Sequence, residues 1–458
     1  MRFNRREFIK GSGLGALALA AGCGRGESLK PNIIFILADD LGIGDLGCYG
    51  QTRIVTSNVD RLAQEGKRFS DCYAGSPVCA PSRSVLMTGQ HTGHTRVRDN
   101  FARVGGIEVT DNGPLQRRIP LAPEDVTVAQ VLKGAGYATG ITGKWGLSEP
   151  GSTGEPNAKG FDEWFGYLNQ RRAHTYYPEY LWRNGEKEIL DGNLDGAQGE
   201  YSHDLFTGFA LDFIRRHNQE PFFLFLPYTI PHYALQVPDL GPYETEPWDD
   251  PDLKRYAAMV TRLDRDVGRI MALLRELGID ERTIVFFCSD NGGMGSKEAK
   301  FFNSTGPFRG HKGLLYEGGL RIPMIARWPG RIEAGTLSGL PWMFADVLPT
   351  LAELAGAPVP ANVDGVSVSP ELLGRGSMDR DRFLYWEFHS PRFKQAVRWG
   401  KWKAVRQGTD QPLELYDLSA DIGEQRDVAG QHPEIVARIL DYLRSARSES
   451  ENWPVASG

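Results

Sequence analysis

The sequence predicts an α/β fold: a large, mostly parallel sheet sandwiched by helices, with a smaller C-terminal α+β subdomain. Three observations carry this. Ile33–Ala38, Ala138–Thr142, Phe222–Tyr228 and Thr283–Ser289 are short apolar runs of the kind that form strands covered on both faces. Helical periodicities stand between them, the alternation that yields parallel strands joined by crossover helices. After about Asn362 the pattern changes to short strands at hairpin spacing. The composition agrees: 458 residues, 41% hydrophobic and 24% charged, suffice for one large domain and a smaller one.

Taken in order, Ile33–Ala38 ends directly in Asp39-Asp40. Thr56 or Ser57 can cap a helix through Val59, Leu62 and Ala63, stopped near Gly66. Phe69–Tyr73 is expected as a strand leading to Cys79-Ala80-Pro81-Ser82-Arg83, where Pro81 suits a first helical turn and Gly89 a stop. Thr127 caps Val128–Leu132, and the strand Ala138–Thr142 runs out at Lys144. Gly146–Tyr180, rich in Gly, Pro and aromatics, is expected as a site-forming excursion. A helix starts at Ser202, the strand Phe222–Tyr228 precedes His232, and Leu253–Leu277 is a long amphipathic helix. Thr283–Ser289 ends in Asp290-Asn291. Phe383–Phe388, Lys394–Trp399, Trp402–Val405 and Leu413–Asp417 follow as hairpin strands, closed by a helix over Pro433–Arg447. Trp386, His389, Arg398 and Trp399 could border a binding mouth, although core packing is the simpler role for each.

The formal net charge of −6 argues against nucleic acid as a partner. Five cysteines without a close spacing pattern suggest neither a disulfide framework nor a zinc site. Residues 1–22 read as an export leader: Arg5-Arg6-Glu7-Phe8-Ile9-Lys10 resembles a twin-arginine motif, and the apolar run Gly11–Gly22 is too short to span a bilayer. Ala20-Ala21-Gly22-Cys23 resembles a lipobox, with Cys23 the residue that would carry a lipid anchor; signal cleavage nearby is the alternative. The expected location is periplasmic or membrane-anchored. The expected division is 1–22 leader, 23–361 catalytic domain and 362–458 C-terminal subdomain.

Asp39, Lys144, His232 and Asp290 each follow the end of an expected strand. In open α/β sheets the ligand crevice lies at the carboxyl ends of strands, so four reactive side chains converge on one edge. Asp39, Asp40, Asp290 and Asn291 offer hard oxygen ligands, a set suited to calcium or magnesium rather than zinc. Cys79 falls at a helix start with Arg83 four residues on. That position permits an acidified thiol beside a fixed cation, or a buried cysteine at a polar helix start; spacing alone favours the second.

Cys79-Ala80-Pro81-Ser82-Arg83 resembles the signature of the type I sulfatases, in the alkaline phosphatase superfamily. Asn32–Asp40, Thr142-Gly143-Lys144-Trp145, Pro231-His232, Ser289–Gly292 and Gly310–Gly313 resemble further blocks of that family, in order along the chain. The resemblance implies an alkaline phosphatase-like fold and hydrolysis of sulfate esters of saccharides or aryl alcohols. It implies that a formylglycine-generating enzyme converts Cys79 to formylglycine, whose hydrate attacks sulfur. It implies one calcium ion held by Asp39, Asp40, Asp290, Asn291 and residue 79. By the same carry-over Arg83 stabilises the ionised diol, Lys144 and Lys312 neutralise the transferring group, and His232 protonates the leaving oxygen. His311 matches no family ligand. The chain departs from the family where Lys-Trp-His is usual: it has Lys144-Trp145-Gly146. His174, within Arg171–Tyr177, is the replacement or substrate-binding residue that the sequence favours. Two other functions compete: a phosphoester or phosphonate hydrolase of the same superfamily, and a weakened surface lipoprotein that binds sulfated glycans.

Overall fold

The structure is a computed structural model that describes residues 30–110, 115–376 and 378–455. The twin-arginine motif and Cys23 lie outside the described residues.

Ten strands form the main sheet, in the order Thr336–Ser338, Lys67–Phe69, Met324–Arg327, Thr283–Ser289, Asn32–Ala38, Phe222–Pro227, Ala138–Lys144, Glu163–Tyr167, Tyr180–Arg183, Glu186–Ile189. The five strands from Thr283–Ser289 to Glu163–Tyr167 are mutually parallel. Antiparallel pairing enters on both sides of them. Asn32–Ala38 sits in the middle and is wholly buried. Its side chains alternate: Ile33, Phe35 and Leu37 enter one apolar core, Ile34, Ile36 and Ala38 the other. Phe35 meets Phe286 and Phe225 of the flanking strands at ring-centroid distances of 5.5 and 6.0 Å.

Helices cover both faces. Ser57–Gln64, Ser202–Arg216 and the 26-residue Pro251–Glu276 bury apolar stripes in the second core. Cys79–Thr88, Val128–Gly134 and Val347–Ala355 pack in the first. Gln130 N–H donates to the Thr127 hydroxyl, the expected cap. Two expectations need correction. Phe69–Tyr73 is two strands: Lys67–Phe69 joins the main sheet, while Cys72–Tyr73 leaves it to pair with Trp342–Met343. The stretch 146–180 is not all excursion. Glu163–Tyr167 extends the parallel sheet, and Gly143 and Gly166 face each other so closely that a Cβ on Gly166 would lie 1.9 Å from the Gly143 carbonyl oxygen.

The C-terminal sheet is antiparallel, Phe383–Phe388, Lys394–Trp399, Trp402–Arg406, Leu413–Asp417 in chain order. One face carries Tyr385, Val397, Ala404 and Leu415 against Ile439 and Leu443 of Pro433–Leu443. The other sends Leu384, Trp386, Phe388 and Val405 into the first core of the main sheet. Trp386 is buried and its indole N–H donates to the Ala74 carbonyl at 2.8 Å, so it packs and does not border a mouth. Trp399 stacks on Phe383. Arg398 lies 3.6 Å from Asp71. Of the four residues, His389 alone borders a cavity with Phe101, Phe393 and Trp453. Arg398 lines a separate groove with Arg68 and Asp71.

A buried ion pair crosses the seam: Lys403 Nζ lies 2.8 Å from Glu317 Oε1, and both side chains are fully buried. Arg321 and the Tyr73 hydroxyl hold the other carboxylate oxygen at 2.6 and 2.9 Å. Removing one member of such a network leaves the remaining buried charges unbalanced. Lys403→Ala is therefore expected to destabilise the fold by about 3–5 kcal/mol in urea denaturation, with Lys403→Met/Glu317→Gln recovering much of the loss.

Candidate active site

Four neighbouring parallel strands end at one edge of the main sheet. Ala38 is in register with Ser289, and Leu37 with Pro227, so Asp39-Asp40, Asp290-Asn291 and the segment leading to His232 leave side by side. Ala138–Lys144 ends next to Phe222–Pro227 and delivers Lys144. Asp40 adopts φ 65°, a left-handed conformation that turns the chain and that Asp tolerates better than most residues.

The helix Cys79–Thr88 approaches this edge with its first turn, and all ten of its residues are buried. Ser82 fixes it: its hydroxyl donates to the Asp290 carbonyl at 2.5 Å and accepts from Gly75 N–H at 3.0 Å. The loop bearing Lys312 is clamped against the same turn, Gly313 N–H donating to the Pro77 carbonyl and Lys312 N–H to the Gly293 carbonyl, both at 2.9 Å.

Three carboxylates, Asp39, Asp40 and Asp290, are fully buried here. Each has a cation. Lys144 Nζ lies 2.5 Å from Asp39 Oδ2. Lys312 Nζ lies 2.7 Å from Asp40 Oδ1. Arg83 donates through Nε and Nη2 to Asp290 Oδ2 at 3.0 and 2.8 Å, and its Nη2 is 3.3 Å from Asp39 Oδ2. Arg83 also donates to the Lys144 carbonyl. Cys79 Sγ lies 3.4 Å from Asp39 Oδ1 and 3.5 Å from Lys312 Nζ.

Burial opposes ionisation of Asp39 and Asp40, but their neighbouring cations, led by Lys144 and Lys312 respectively, hold both below the usual carboxylate range. Burial, reinforced by Asp39, pushes Asp290 up to about 6 even beside Arg83. Burial, followed by Asp39, drives the Cys79 thiol well above its ordinary range. The acidified-thiol possibility is thereby overturned: residue 79 is 2% exposed, and desolvation outweighs the helix terminus.

His232 has its Nδ1 2.6 Å from the Tyr233 carbonyl, so that nitrogen carries a proton and Nε2 faces the site, 3.4 Å from Asp40 Oδ2. Burial lowers its pKa against the pull of Asp40 and Asp39. His174 stacks on His232, centroids 4.7 Å apart and planes 22° from parallel, while its own outer edge is exposed. Desolvation of its inner side, then His232 and Lys144, lowers it to about 3. The structure thus gathers Asp39, Asp40, Cys79, Arg83, Lys144, His174, His232, Asp290, Asn291 and Lys312. The other histidines pair elsewhere: His91 and His94 with Asp364, His203 with Asp266, His217 with Glu163, His389 with Glu387, His432 with Glu434. His311 Nδ1 lies 2.9 Å from the Lys312 carbonyl, a local contact that fits a turn role.

A divalent cation fits these residues. Asp39, Asp40, Cys79 and His232 present ligand atoms within 4.8 Å of one another. Asn291 Nδ2 donates to Asp40 Oδ1 at 2.7 Å, which leaves its Oδ1 buried with no hydrogen-bond partner among the described residues. A bare amide oxygen beside three carboxylates is a hard-cation ligand set. Gln170, buried next to Gly146, is a residue that sequence reasoning did not single out. Gly146 itself was the available signal, since a glycine at that edge leaves room for another side chain.

Carboxylates matched by fixed cations around one buried cysteine, at the strand ends of an α/β sheet, form a site suited to an anionic ligand. The sulfatase family profile matches residues 31–357, and that of the N-sulphoglucosamine sulphohydrolase C-terminal region matches 308–449. An N-acetylgalactosamine-6-O-sulfatase of Bacteroides thetaiotaomicron is 31% identical over 95% of this chain and 98% of its own. Arylsulfatase A of Homo sapiens is 33% identical over 93% and 89%. The crystal structure of Ps i-CgsB in complex with k-i-k-neocarrahexaose superposes with a TM-score of 0.78 at 30% identity, covering 92% of this chain and 94% of that one. The chain belongs to the sulfatase family, in the alkaline phosphatase superfamily, and is a sulfuric ester hydrolase.

Arg83 is the residue whose geometry a lysine cannot reproduce, because it forks onto Asp290 while reaching Asp39 and the Lys144 carbonyl. Arg83→Lys is expected to lower kcat/KM for a sulfate ester about 10- to 100-fold, read by steady-state release of sulfate.

Proposed function

We propose that the protein hydrolyses sulfate esters of saccharides, with formylglycine at position 79 and one calcium ion. The observation that carries the reading is the buried, unpartnered Oδ1 of Asn291, beside Asp39, Asp40 and Asp290 and close to residue 79, in a chain of the sulfatase family. Saccharide substrates are supported by the relatives, which include an N-acetylgalactosamine-6-O-sulfatase and a protein crystallised with neocarrahexaose.

Asp39, Asp40, Asp290, Asn291 and residue 79 would hold the calcium, which would supply Lewis-acid stabilisation of a sulfate oxygen and of the nucleophile. As formylglycine, residue 79 supplies a hydrated aldehyde, a nucleophilic oxygen with a second hydroxyl for product release. Arg83 keeps Asp290 and Asp39 oriented and adds positive charge beside the nucleophile. Lys144 and Lys312 bring two ammonium groups to the same spot, where they offset charge on the ester oxygens. His232 keeps Nδ1–H on the Tyr233 carbonyl, so Nε2 is the atom that carries a proton to the leaving oxygen; Asp40 stabilises that protonated form. His174 covers the outer face of His232 and limits water there. Export by the twin-arginine route and an anchor at Cys23 belong to the same proposal, for an enzyme acting on extracellular glycans.

Two outcomes test the reading. Protein made beside a formylglycine-generating enzyme should yield a residue-79 peptide about 18 Da lighter than the cysteine form, by mass spectrometry. Full activity with only intact thiol would sink the proposal. His174→Ala should lower kcat if His174 sets the environment of His232, whereas a role confined to substrate contact should act mainly through kcat/KM. Parental values of both would remove His174 from the site.

A further inference from the structure

Two residues past Lys144, Gly146 has φ 78°, and a Cβ there would stand 2.2 Å from Nε2 of Gln170. The Gln170 carboxamide occupies the volume that a side chain at 146 would enter. Gln170 is 4% exposed, yet its Nε2 has no hydrogen-bond partner among the described residues. Leaving such a donor unmatched is costly, and native structures seldom do so without a use for the group. A second atom shares this condition: Ser148 Oγ, in a residue also 4% exposed. Ser148 and Gly146 line one small cavity with Ala80 and Asn100. Ala80 adjoins residue 79 and donates its N–H to Asn100 Oδ1 at 2.9 Å. The uncommitted neutral groups flank Gly146 beside the turn that carries residue 79. The cations Arg83, Lys144 and Lys312 are instead all engaged by carboxylates.

We propose that Gln170 contacts the substrate: its Nε2 donates a hydrogen bond to an oxygen of the sulfate ester held at residue 79, through the space that glycine at 146 leaves open. This inference rests on the sulfatase reading. A sulfate monoester spreads one negative charge over three oxygens, so each is a modest acceptor. An uncharged amide matches such an oxygen without the desolvation that a further ammonium group would require. Gly146 is then a condition for Gln170, because any side chain there would push the carboxamide away.

Gln170→Met keeps the length and apolar stem and removes the donor. Gln170→Glu keeps the shape and turns a carboxylate toward the ester. Both are compared with the parent enzyme for kcat, KM, inhibition by inorganic sulfate, and thermal unfolding. The expected result for Gln170→Met is a parental melting temperature, kcat/KM lower by about 10- to 100-fold, and a raised inhibition constant for sulfate. Gln170→Glu should be worse on both kinetic readouts. Parental kcat/KM and sulfate inhibition in Gln170→Met overturns the inference, as does a lower melting temperature with sulfate inhibition unchanged. If the Met variant does not fold, parental kinetics in Gln170→Glu overturns it equally. A parent enzyme without desulfation removes the function and this inference together, whereas an active parent indifferent to Gln170 removes the inference alone.

Discussion

Three carboxylates share one water-poor volume at the end of this sheet, and that crowding is the constraint to which the rest of the molecule answers. Coulomb repulsion among Asp39, Asp40 and Asp290 would protonate them or open the fold if they were left alone. Lys144, Lys312 and Arg83 come from three different parts of the chain to prevent this. Each has to be held rigidly: Lys144 by its strand, Arg83 by a wholly buried helix, Lys312 by a loop hydrogen-bonded to both Pro77 and Gly293. Among the described residues Asp290 has only Arg83, which it shares with Asp39, and its chain neighbour Asn291 keeps an unsatisfied oxygen, so compensation is least complete on this side.

The parallel central strands solve the geometric half of that problem. Running side by side in the same sense, they bring residues distant in sequence to one edge without loops that fold back. Close approach of backbones is the other requirement. A Cβ on Gly292 would lie 2.0 Å from the Gly318 carbonyl, and one on Gly42 2.1 Å from that of Ser304, so small residues let the loops around the site interlock. The second, smaller sheet adds little to the charged cluster directly. Its contribution is to seal the cysteine-bearing segment from behind, through Trp386 on Ala74 and Lys403 on Glu317.

Much of this was legible from the chain because it depends on local signals. Apolar runs ending in Asp39, Lys144 and Asp290 announce both the strand and the functional end of it, since burial on two faces leaves the residue after the strand as the first that can be polar. The hairpin strands after residue 380 were equally plain. What failed depended on distant partners. Glu163–Tyr167 reads as loop because its glycine and short length hide a strand that exists by pairing with Ala138–Lys144. The break between Phe69 and Cys72 is set by the strands each half finds, far along the chain. At position 79 the buried cysteine that spacing favoured is the one found, because burial outweighs the short-range effect of a helix terminus. Gln170 escaped notice because its significance is a vacancy created 24 residues earlier, at Gly146.

The seclusion of residue 79 sets an order of events during biosynthesis. With 2% of its surface accessible and its whole helix enclosed, it offers no grip to another macromolecule once the sheet has closed. Any enzyme that alters this side chain must meet the segment while it is still an open strand of polypeptide. Were residue 79 converted as proposed, maturation and folding would compete for the same chain, and their rates would decide the winner. A polypeptide that closed first would keep its cysteine, so the converted fraction in a cell would report a race and not the stability of the final fold.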